Sequence, residues 1–383
     1  MSNYHYCLKY SSLIIKAAIL EIIEEHSVLR SSYSYSNGER QINEHQFNGS
    51  WFIPYIDMRS KIGKDSISNE IANYINLKEY HPGIKNPLSY IFVSRLTESK
   101  YQIDLIIDHC IWDKASSQIF EEKLRNKLNG FSYKILESTS YASYIREVLN
   151  TTNSLSDNSS FISEILNEKE LIYNILNKTS NNILQLNKNK LFKLGANTLK
   201  KYRDNPWEII EYILQVIAQR NNLKFMENET YPILVVQDER NYMNGNYAET
   251  LGCFLDLVPA AINFSEVGVL KKRVECSQSL KKEKKINFSE LIFDRAQDIQ
   301  DLFSKVLIVN YQGAYDISPK ELQNWLSGQG EDFTSTEIFI NDVEDQLIVT
   351  YPVFEGCKQD IGVEIQRTLD KLEESFQSQL VLS

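Results

Sequence analysis

The residues of this chain best suited to catalysis lie between Ile103 and Phe120, where His109 is followed four positions later by Asp113. An apolar run predicts a β-strand that brings His109 to its carboxyl end, and a helix is predicted to begin directly afterwards. A neutral imidazole accepts a proton near neutral pH, so His109 could act as a general base. The amino-terminal end of the helix could stabilise a developing oxyanion. The same spacing also fits a strand-end histidine followed by an aspartate that caps the helix.

The composition is that of a globular protein. The chain has 383 residues, of which 42% are apolar or aromatic and 24% charged, which predicts two domains or one large one. The formal net charge of −10 argues against a nucleic-acid partner. No segment is apolar enough to cross a membrane, and the amino terminus is too polar for a secretory signal. The five cysteines are scattered without a Cys-x-x-Cys pair, which predicts a cytoplasmic protein with free thiols and no metal site.

Strands and helices are mixed in both halves of the chain, which predicts an α/β (α+β) architecture. The predicted strands lie at 5–10, 31–35, 88–96, 101–109, 232–237, 305–311 and 346–354. The predicted helices lie at 11–26, 64–77, 116–128, 140–149, 206–217 and 361–377. Asn37-Gly38 predicts a hairpin turn between two strands.

Two polar segments interrupt this pattern. The stretch 151–160, TTNSLSDNSS, predicts a boundary between a first domain at 1–152, which carries the His109 motif, and a second at 160–383. The basic run at 271–285, KKRVECSQSLKKEKK, is interpreted as a solvated loop. Docking to an acidic carrier protein is the alternative interpretation of that run.

Five segments resemble, in the same order, the motifs of nonribosomal peptide synthetase condensation domains. His109-Cys-Ile-Trp-Asp113 resembles HHxxxDG, which is related to the HxxxD motif of chloramphenicol acetyltransferase and other acyltransferases. The other four are Glu25 to Tyr33 (similar to RHExLRTxF), Tyr141 to Tyr144 (YxDFAxW), Leu251 to Pro259 (IGxFVNTxPLR) and Val309 to Gln312 (FNYQ). Because the five segments keep their order from residue 25 to residue 312, the chain is identified as similar to that family.

The resemblance implies a fold and a reaction. The fold would be two chloramphenicol-acetyltransferase-like subdomains in a V-shaped pseudo-dimer, each a mainly antiparallel sheet with helices packed on it, in a monomer. The reaction would join a carrier-bound acyl or aminoacyl thioester to an amine or hydroxyl acceptor in nonribosomal peptide or related natural-product biosynthesis. Substrates would arrive on phosphopantetheine or coenzyme A, with no bound cofactor. The partners would be acyl or peptidyl carrier proteins or other synthetase modules.

The resemblance also implies a role for each site residue. His109 would remove a proton from the attacking amine or orient that amine. Asp113 would pair with a distant arginine, for which Arg240 is the candidate, and a helix cap and a solvated turn are the structural alternatives for the two residues. Asp108 is expected to hydrogen-bond within the loop rather than to contact His109. Arg30 is expected to fix the first subdomain.

Departures from the family pattern leave other functions open. Asp108 stands at the first histidine of HHxxxDG and Lys114 at its glycine, and the usual opening segment SxAQxR is missing, which predicts an N-terminally short chain that stands alone or is one excised module. Asp108, Asp113 and Ser116 also spell DxxxxDxxS, the signature of heterocyclisation domains. Ordinary condensation is favoured because this chain keeps His109. A coenzyme A-dependent small-molecule acyltransferase and an inactive condensation-like platform are the further alternatives.

Overall fold

The chain packs as two compact units. The first is Met1–Val148 together with Met243–Leu255, and the second is Leu149–Tyr242 together with Asp256–Ser383. The structure is a computed structural model that describes residues 2–36, 39–49, 51–60, 64–76, 84, 86–131, 139–154, 184–221, 223, 230–285, 287–289, 306–314, 336–343, 345–355, 357 and 360–382.

The first unit is built on a four-stranded sheet with helices packed on it. Its strands are β1 (Ser2–Leu8), β2 (Ser31–Ser36), β3 (Glu39–Glu44), β4 (Tyr55–Asp57), β5 (Ser89–Arg95) and β6 (Tyr101–Ile107). Its helices are α1 (Ser12–Glu25), α2 (Lys64–Asn76), α3 (Lys114–Leu128) and α4 (Tyr141–Ser154), the last of which continues past the first unit. The strand order is β1-β6-β5-β4, antiparallel except for β4 with β5, and β2 pairs with β3 as a separate hairpin.

The second unit is built on a six-stranded mixed sheet. Its strands are β7 (Leu184–Lys193), β8 (Thr230–Asp238), β9 (Leu255–Asn263), β10 (Ile308–Ala314), β11 (Glu337–Val343) and β12 (Gln346–Phe354). Its helices are α5 (Ala196–Asp204), α6 (Pro206–Arg220), α7 (Val269–Lys284) and α8 (Ile361–Leu382). The strand order is β7-β12-β11-β10-β8-β9, with β10 parallel to both β8 and β11. The two sheets with their helices confirm the predicted α/β class.

Local sequence signals explain several boundaries. Ser11 caps α1, since its side chain accepts a hydrogen bond from the backbone N–H of Ile14, and Pro206 occupies the first turn of α6. Gly130 follows α3 with φ of 75°, a conformation that glycine adopts without steric cost. Asn37 and Gly38 lie outside the described residues, but β2 and β3 flank them as an antiparallel pair.

Two sequence predictions are wrong. The basic run at 271–285 is not a solvated loop, because its first fourteen residues belong to helix α7, in which Lys281 is fully buried. The strand predicted to reach His109 ends at Ile107, because Asp108 begins a short 3-10 turn. Strands β4, β7, β9 and β11 and helix α5 were not predicted. Within the described part of the chain, no helix has the length and apolar character needed to cross a bilayer.

Candidate active site

His109 lies one residue beyond the end of β6, in the 3-10 turn His109–Ile111. Asp108 caps this turn, because its Oδ1 accepts a hydrogen bond of 3.0 Å from the N–H of Cys110. Ile111 and Trp112 are fully buried, whereas His109 is exposed. The turn is therefore anchored on its apolar side and presents the imidazole to solvent, which suits a group that exchanges protons with a substrate.

Asp113 connects the His109 turn to two different segments. Its Oδ1 accepts a hydrogen bond of 2.8 Å from the N–H of Ser116 and so caps α3. Its Oδ2 accepts a hydrogen bond of 3.0 Å from the N–H of Phe254. The residue is only 2% exposed. Both carboxylate oxygens thus hold backbone groups, which fits the helix-cap alternative and adds a long-range contact to it.

Ser116 makes a second contact with the same distant segment. Its hydroxyl donates to the carbonyl oxygen of Gly252 at 2.8 Å and accepts from the N–H of Gly252 at 3.0 Å. Ser116 is fully buried. A side chain at position 252 would place its Cβ 2.2 Å from the ring of Tyr141, so only glycine fits there without movement of that ring. This close approach explains why position 252 is a glycine.

Tyr141, at the start of α4, joins the two segments from the other side. Its phenol oxygen lies within hydrogen-bond distance of two carbonyl oxygens, Cys110 at 3.2 Å and Cys253 at 3.1 Å. Burial raises the pKa of Tyr141, which keeps the phenol protonated as a donor. Its ring packs edge-on against Phe254 with the centroids 5.4 Å apart. We call the set Asp113, Ser116, Tyr141, Gly252 and Phe254 the clasp.

The clasp brings together three of the segments that the sequence singled out. The His109 segment, the Tyr141 segment and the Leu251 segment meet in one buried cluster of the first unit. The sequence did not reveal the structural roles of Tyr141 and Gly252. Its available signals were a tyrosine and a glycine inside motif-like segments, and neither residue type by itself indicates a partner.

The Glu25 to Tyr33 segment stabilises the end of α1 in the first unit. Arg30 donates to the backbone carbonyl oxygens of Ile23, Glu24 and His45, with 3.0 Å to Glu24 and 2.9 Å to His45. The bonds to Ile23 and Glu24 cap the carboxyl end of α1, and the bond to His45 ties it to the segment after β3. His26 is buried, and burial together with nearby lysines lowers its pKa to about 3, so its imidazole is neutral.

Arg240 lies in the second unit, two residues after the end of β8. Its side chain is 4% exposed, and its Nη1 lies 3.0 Å from Asp238 Oδ2. Asp238 Oδ1 also accepts a hydrogen bond from the Arg240 N–H. The burial of Arg240 excludes the solvated turn that was one alternative for it. The pairing of Arg240 with Asp113 stays a prediction.

The described residues contain no group of three or more histidine, cysteine, aspartate or glutamate side chains placed to hold a metal ion. Cys276, on α7, is an exposed free thiol. The turn itself presents an exposed imidazole beside the amino-terminal end of α3.

Comparison with solved structures shows the fold. The epimerization domain from the third module of tyrocidine synthetase B matches with a TM-score of 0.63 at 14% identity, covering 98% of this chain and 93% of that one. A condensation domain that mediates chain release from the enacyloxin polyketide synthase matches with a TM-score of 0.60 at 11% identity, covering 98% and 77%. The X-domain from teicoplanin biosynthesis, solved in complex with OxyB, matches with a TM-score of 0.63 at 10% identity, covering 97% and 88%.

This chain has a condensation-domain-like fold over nearly its whole length. No family model matches the sequence, and the search of curated proteins gives no match. At these identities the similarity establishes the fold and leaves the reaction to be argued from the site.

Proposed function

We propose that the chain is a condensation-type acyltransferase that joins a carrier-bound acyl or aminoacyl thioester to an amine or hydroxyl acceptor. The observation that carries the proposal is the exposed His109 on a turn that the buried clasp holds, in a chain with a condensation-domain-like fold. The setting would be nonribosomal peptide or related natural-product biosynthesis, in the cytoplasm. Carrier proteins or other synthetase modules would be the partners.

The proposed reaction begins with attack of the acceptor on the thioester carbonyl. The lone pair of the amine forms the new C–N bond, the carbonyl π electrons move to oxygen, and the amine proton passes to His109. The oxyanion then re-forms the carbonyl and breaks the C–S bond. The leaving thiolate receives the proton from the imidazolium, which returns His109 to its neutral form. The products are an amide and the free thiol of the phosphopantetheine arm or of coenzyme A.

The remaining site residues would position rather than react. Asp113 and Ser116 hold backbone groups of the clasp, and Asp108 caps the His109 turn. The positive end of the α3 dipole lies next to the turn and favours negative charge on the carbonyl oxygen. Orientation of both reactants in such a site contributes about 7–11 kcal/mol in favourable cases.

Heterocyclisation is the less favoured reaction, although Asp108, Asp113 and Ser116 fit its signature. Asp113 uses both oxygens to accept backbone hydrogen bonds, and the Ser116 hydroxyl both donates to and accepts from Gly252. These contacts support a scaffolding role for two of the three signature residues. The exposed His109, which the signature lacks, supports ordinary condensation.

A binding platform is the second candidate function. One structural neighbour, the X-domain, was solved in complex with another protein, OxyB. This chain also carries Asp108 and Lys114 where the condensation motif has histidine and glycine. A platform would bind a partner protein without turning over any acyl donor, and a change at His109 would leave that binding unaltered.

A donor screen tests the proposal and separates its alternatives. The wild-type chain is incubated with acyl and aminoacyl groups loaded on carrier proteins, with the same groups on coenzyme A, and with amine and hydroxyl acceptors. Condensation predicts product from a carrier donor with the mass of an amide or ester, whereas cyclisation predicts the loss of one further water. Product from coenzyme A alone would identify a small-molecule acyltransferase. Turnover of none of the donors would overturn the proposal in favour of the platform.

A further inference from the structure

The second unit contains three fully buried ionisable side chains, of which Lys281 contacts both carboxyl groups. Lys281 of α7 places its ammonium 2.5 Å from Glu239 Oε1 and 2.5 Å from Asp256 Oδ2, and the side chains of all three residues have 0% exposure. We call Glu239, Asp256 and Lys281 the ion cluster. Desolvation of three charges is costly, so their burial together requires that each be compensated by the others.

The remaining lone pairs of the cluster are also satisfied. Glu239 Oε2 accepts a hydrogen bond of 2.7 Å from the amide of Asn287. Asp256 accepts from the N–H of Phe288 at 2.8 Å and from the N–H and hydroxyl of Ser289 at 2.7 and 2.6 Å. The cluster therefore has a defined geometry that fixes both carboxylates relative to α7 and to residues 287–289.

Net stabilisation does not account for such a cluster. Removing ions from water costs about as much as their attraction returns, and well-packed apolar side chains often serve stability as well or better. A buried cluster with complete hydrogen bonding does fix positions, because a displaced member would leave an uncompensated charge.

The two carboxylates flank the segment Met243–Leu255, which belongs to the first unit. Glu239 directly follows β8 in the second unit, and Asp256 lies near the start of β9. Asp256 is two residues from Phe254, and two residues of extended chain span at most about 7 Å. Phe254 is the residue whose N–H donates to Asp113. The clasp therefore holds Phe254 and the ion cluster holds Asp256, two residues further along the same short stretch of backbone.

We propose that Lys281 is a positioning residue for the His109 turn. By fixing Glu239 and Asp256, its ammonium sets where the segment Met243–Leu255 leaves and rejoins the second unit. The backbone groups of Gly252 and Phe254 are thereby held against Ser116, which lies in the first turn of α3, and against Asp113, which caps that helix. The consequence for turnover rests on the proposed function, whereas the consequence for the clasp does not.

The test measures amide hydrogen exchange in Lys281→Met, which removes the charge and keeps an unbranched side chain of similar length. We expect the N–H groups of Ser116, Gly252 and Phe254 to exchange about tenfold faster or more than in the wild type. Amides of β5 and β6 are measured in the same sample and should not change, because local loosening of the clasp leaves the sheet intact. The matched control is Lys282→Met, an exposed lysine on the same helix, which should leave all these amides unchanged.

Lys281→Met leaves two buried carboxylates without their cation and could prevent folding. The triple variant Glu239→Gln, Asp256→Asn and Lys281→Met, which leaves no charge in the cluster, is then measured in its place. Unchanged exchange at Ser116, Gly252 and Phe254 in a folded variant would overturn the proposal. If neither variant folds, the cluster is a requirement of the fold as a whole, and the positioning role is also overturned.

The turnover readout separates this inference from the proposed function. If the wild type transfers acyl groups, Lys281→Met should lower kcat with little change in KM, because a displaced turn affects the reacting group more than substrate binding. If the wild type transfers none, the proposed function fails while the exchange experiment still decides whether Lys281 positions the clasp. A rise in KM with an unchanged kcat would contradict the predicted effect on the turn.

Discussion

The clasp and the ion cluster hold adjoining parts of one segment by different chemistry. The clasp in the first unit relies on hydrogen bonds from backbone groups, a hydroxyl and a phenol, with Asp113 as its charged member. The ion cluster in the second unit relies on one buried ammonium between two buried carboxylates. Loss of a hydrogen bond leaves a neutral group unsatisfied, whereas loss of an ion leaves a buried charge. The second region should therefore respond more strongly to single substitutions and to pH.

The largest expected effect is that of Lys281→Ala on stability. Removing one member of a buried ion cluster destabilises a protein by about 3–5 kcal/mol, since the remaining buried carboxyl groups lose their counter-charge. The free energy of unfolding, measured by denaturant titration, should fall by that amount. Lys282→Ala, on the exposed side of the same helix, should change it by less than about 0.5 kcal/mol. If Lys281→Ala and Lys282→Ala lowered the free energy of unfolding equally, the ion cluster would not be more sensitive to substitution than the clasp.

Asp113→Ala should have the next largest effect. It removes the acceptor of two buried N–H groups, those of Ser116 and Phe254, and each unsatisfied group costs about 1–3 kcal/mol. Comparison with Arg240→Ala and the double variant tests the predicted pair. Coupling between the two residues would appear as non-additive losses in thermal unfolding. Simple addition of the two losses would show that Asp113 and Arg240 are not paired.

Gly252→Ala tests the close contact inside the clasp. The added methyl group would lie 2.2 Å from the Tyr141 ring, and overpacking of this kind costs about 1–3 kcal/mol. Tyr141→Leu in the same chain makes room for the methyl group and should recover part of the loss. Gly268→Ala is not a suitable control for this contact, because Gly268 has a positive φ and open space around it. A Gly252→Ala chain as stable as the wild type would contradict the observed geometry of the clasp.

The ion cluster should also give the second unit a pH dependence. Burial and the neighbouring Asp256 raise the pKa of Glu239 to about 7, above its usual value of about 4.5, although Lys281 opposes the shift. Because the folded chain then binds a proton that the unfolded chain releases, the contribution of Glu239 to stability is full below about pH 4.5 and is lost as the pH rises to about 7. Tyr242 and Asp238 also lie near this group.

Comparison of the wild type with Glu239→Gln isolates this contribution. The difference in unfolding free energy between the two chains should fall by about 1–3 kcal/mol between pH 4.5 and pH 7 and level off above that. The comparison also removes the opposite contribution of His26, whose lowered pKa makes stability rise with pH up to about 6.5. A difference that is constant with pH would show that Glu239 does not titrate in this range.

The same two regions show what sequence can and cannot predict. Alternation predicted β12 at 346–354 with the bounds that the structure gives, and Ser11 and Pro206 correctly marked helix starts, because these signals are local. The condensation-like fold also followed from the order of short motifs. The burial of Lys281 did not, since a charged run normally indicates a solvated surface and its partners lie far away in the chain.

The clasp was hidden from sequence for a related reason. Ser116 and Gly252 are separated by 136 positions, and neither residue type by itself indicates a distant hydrogen-bond partner. The sequence placed His109 at the end of a strand, whereas the structure places it in the turn that follows β6. The strand ends earlier because the Asp108 side chain caps this turn instead of continuing the strand pairing. Short polar side chains that bond to nearby backbone often end an element in this way.

Single-turnover transfer from an acylated carrier to an amine tests most directly whether His109 is the catalytic residue. His109→Ala should keep the unfolding midpoint of the wild type, because the side chain is exposed, and should lose about 10²–10⁴-fold in rate if the imidazole is the general base. A smaller loss would indicate that His109 orients the amine, since proximity of the reactants would survive. Equal rates above background in the two chains would contradict the account and leave the motif with a structural role only.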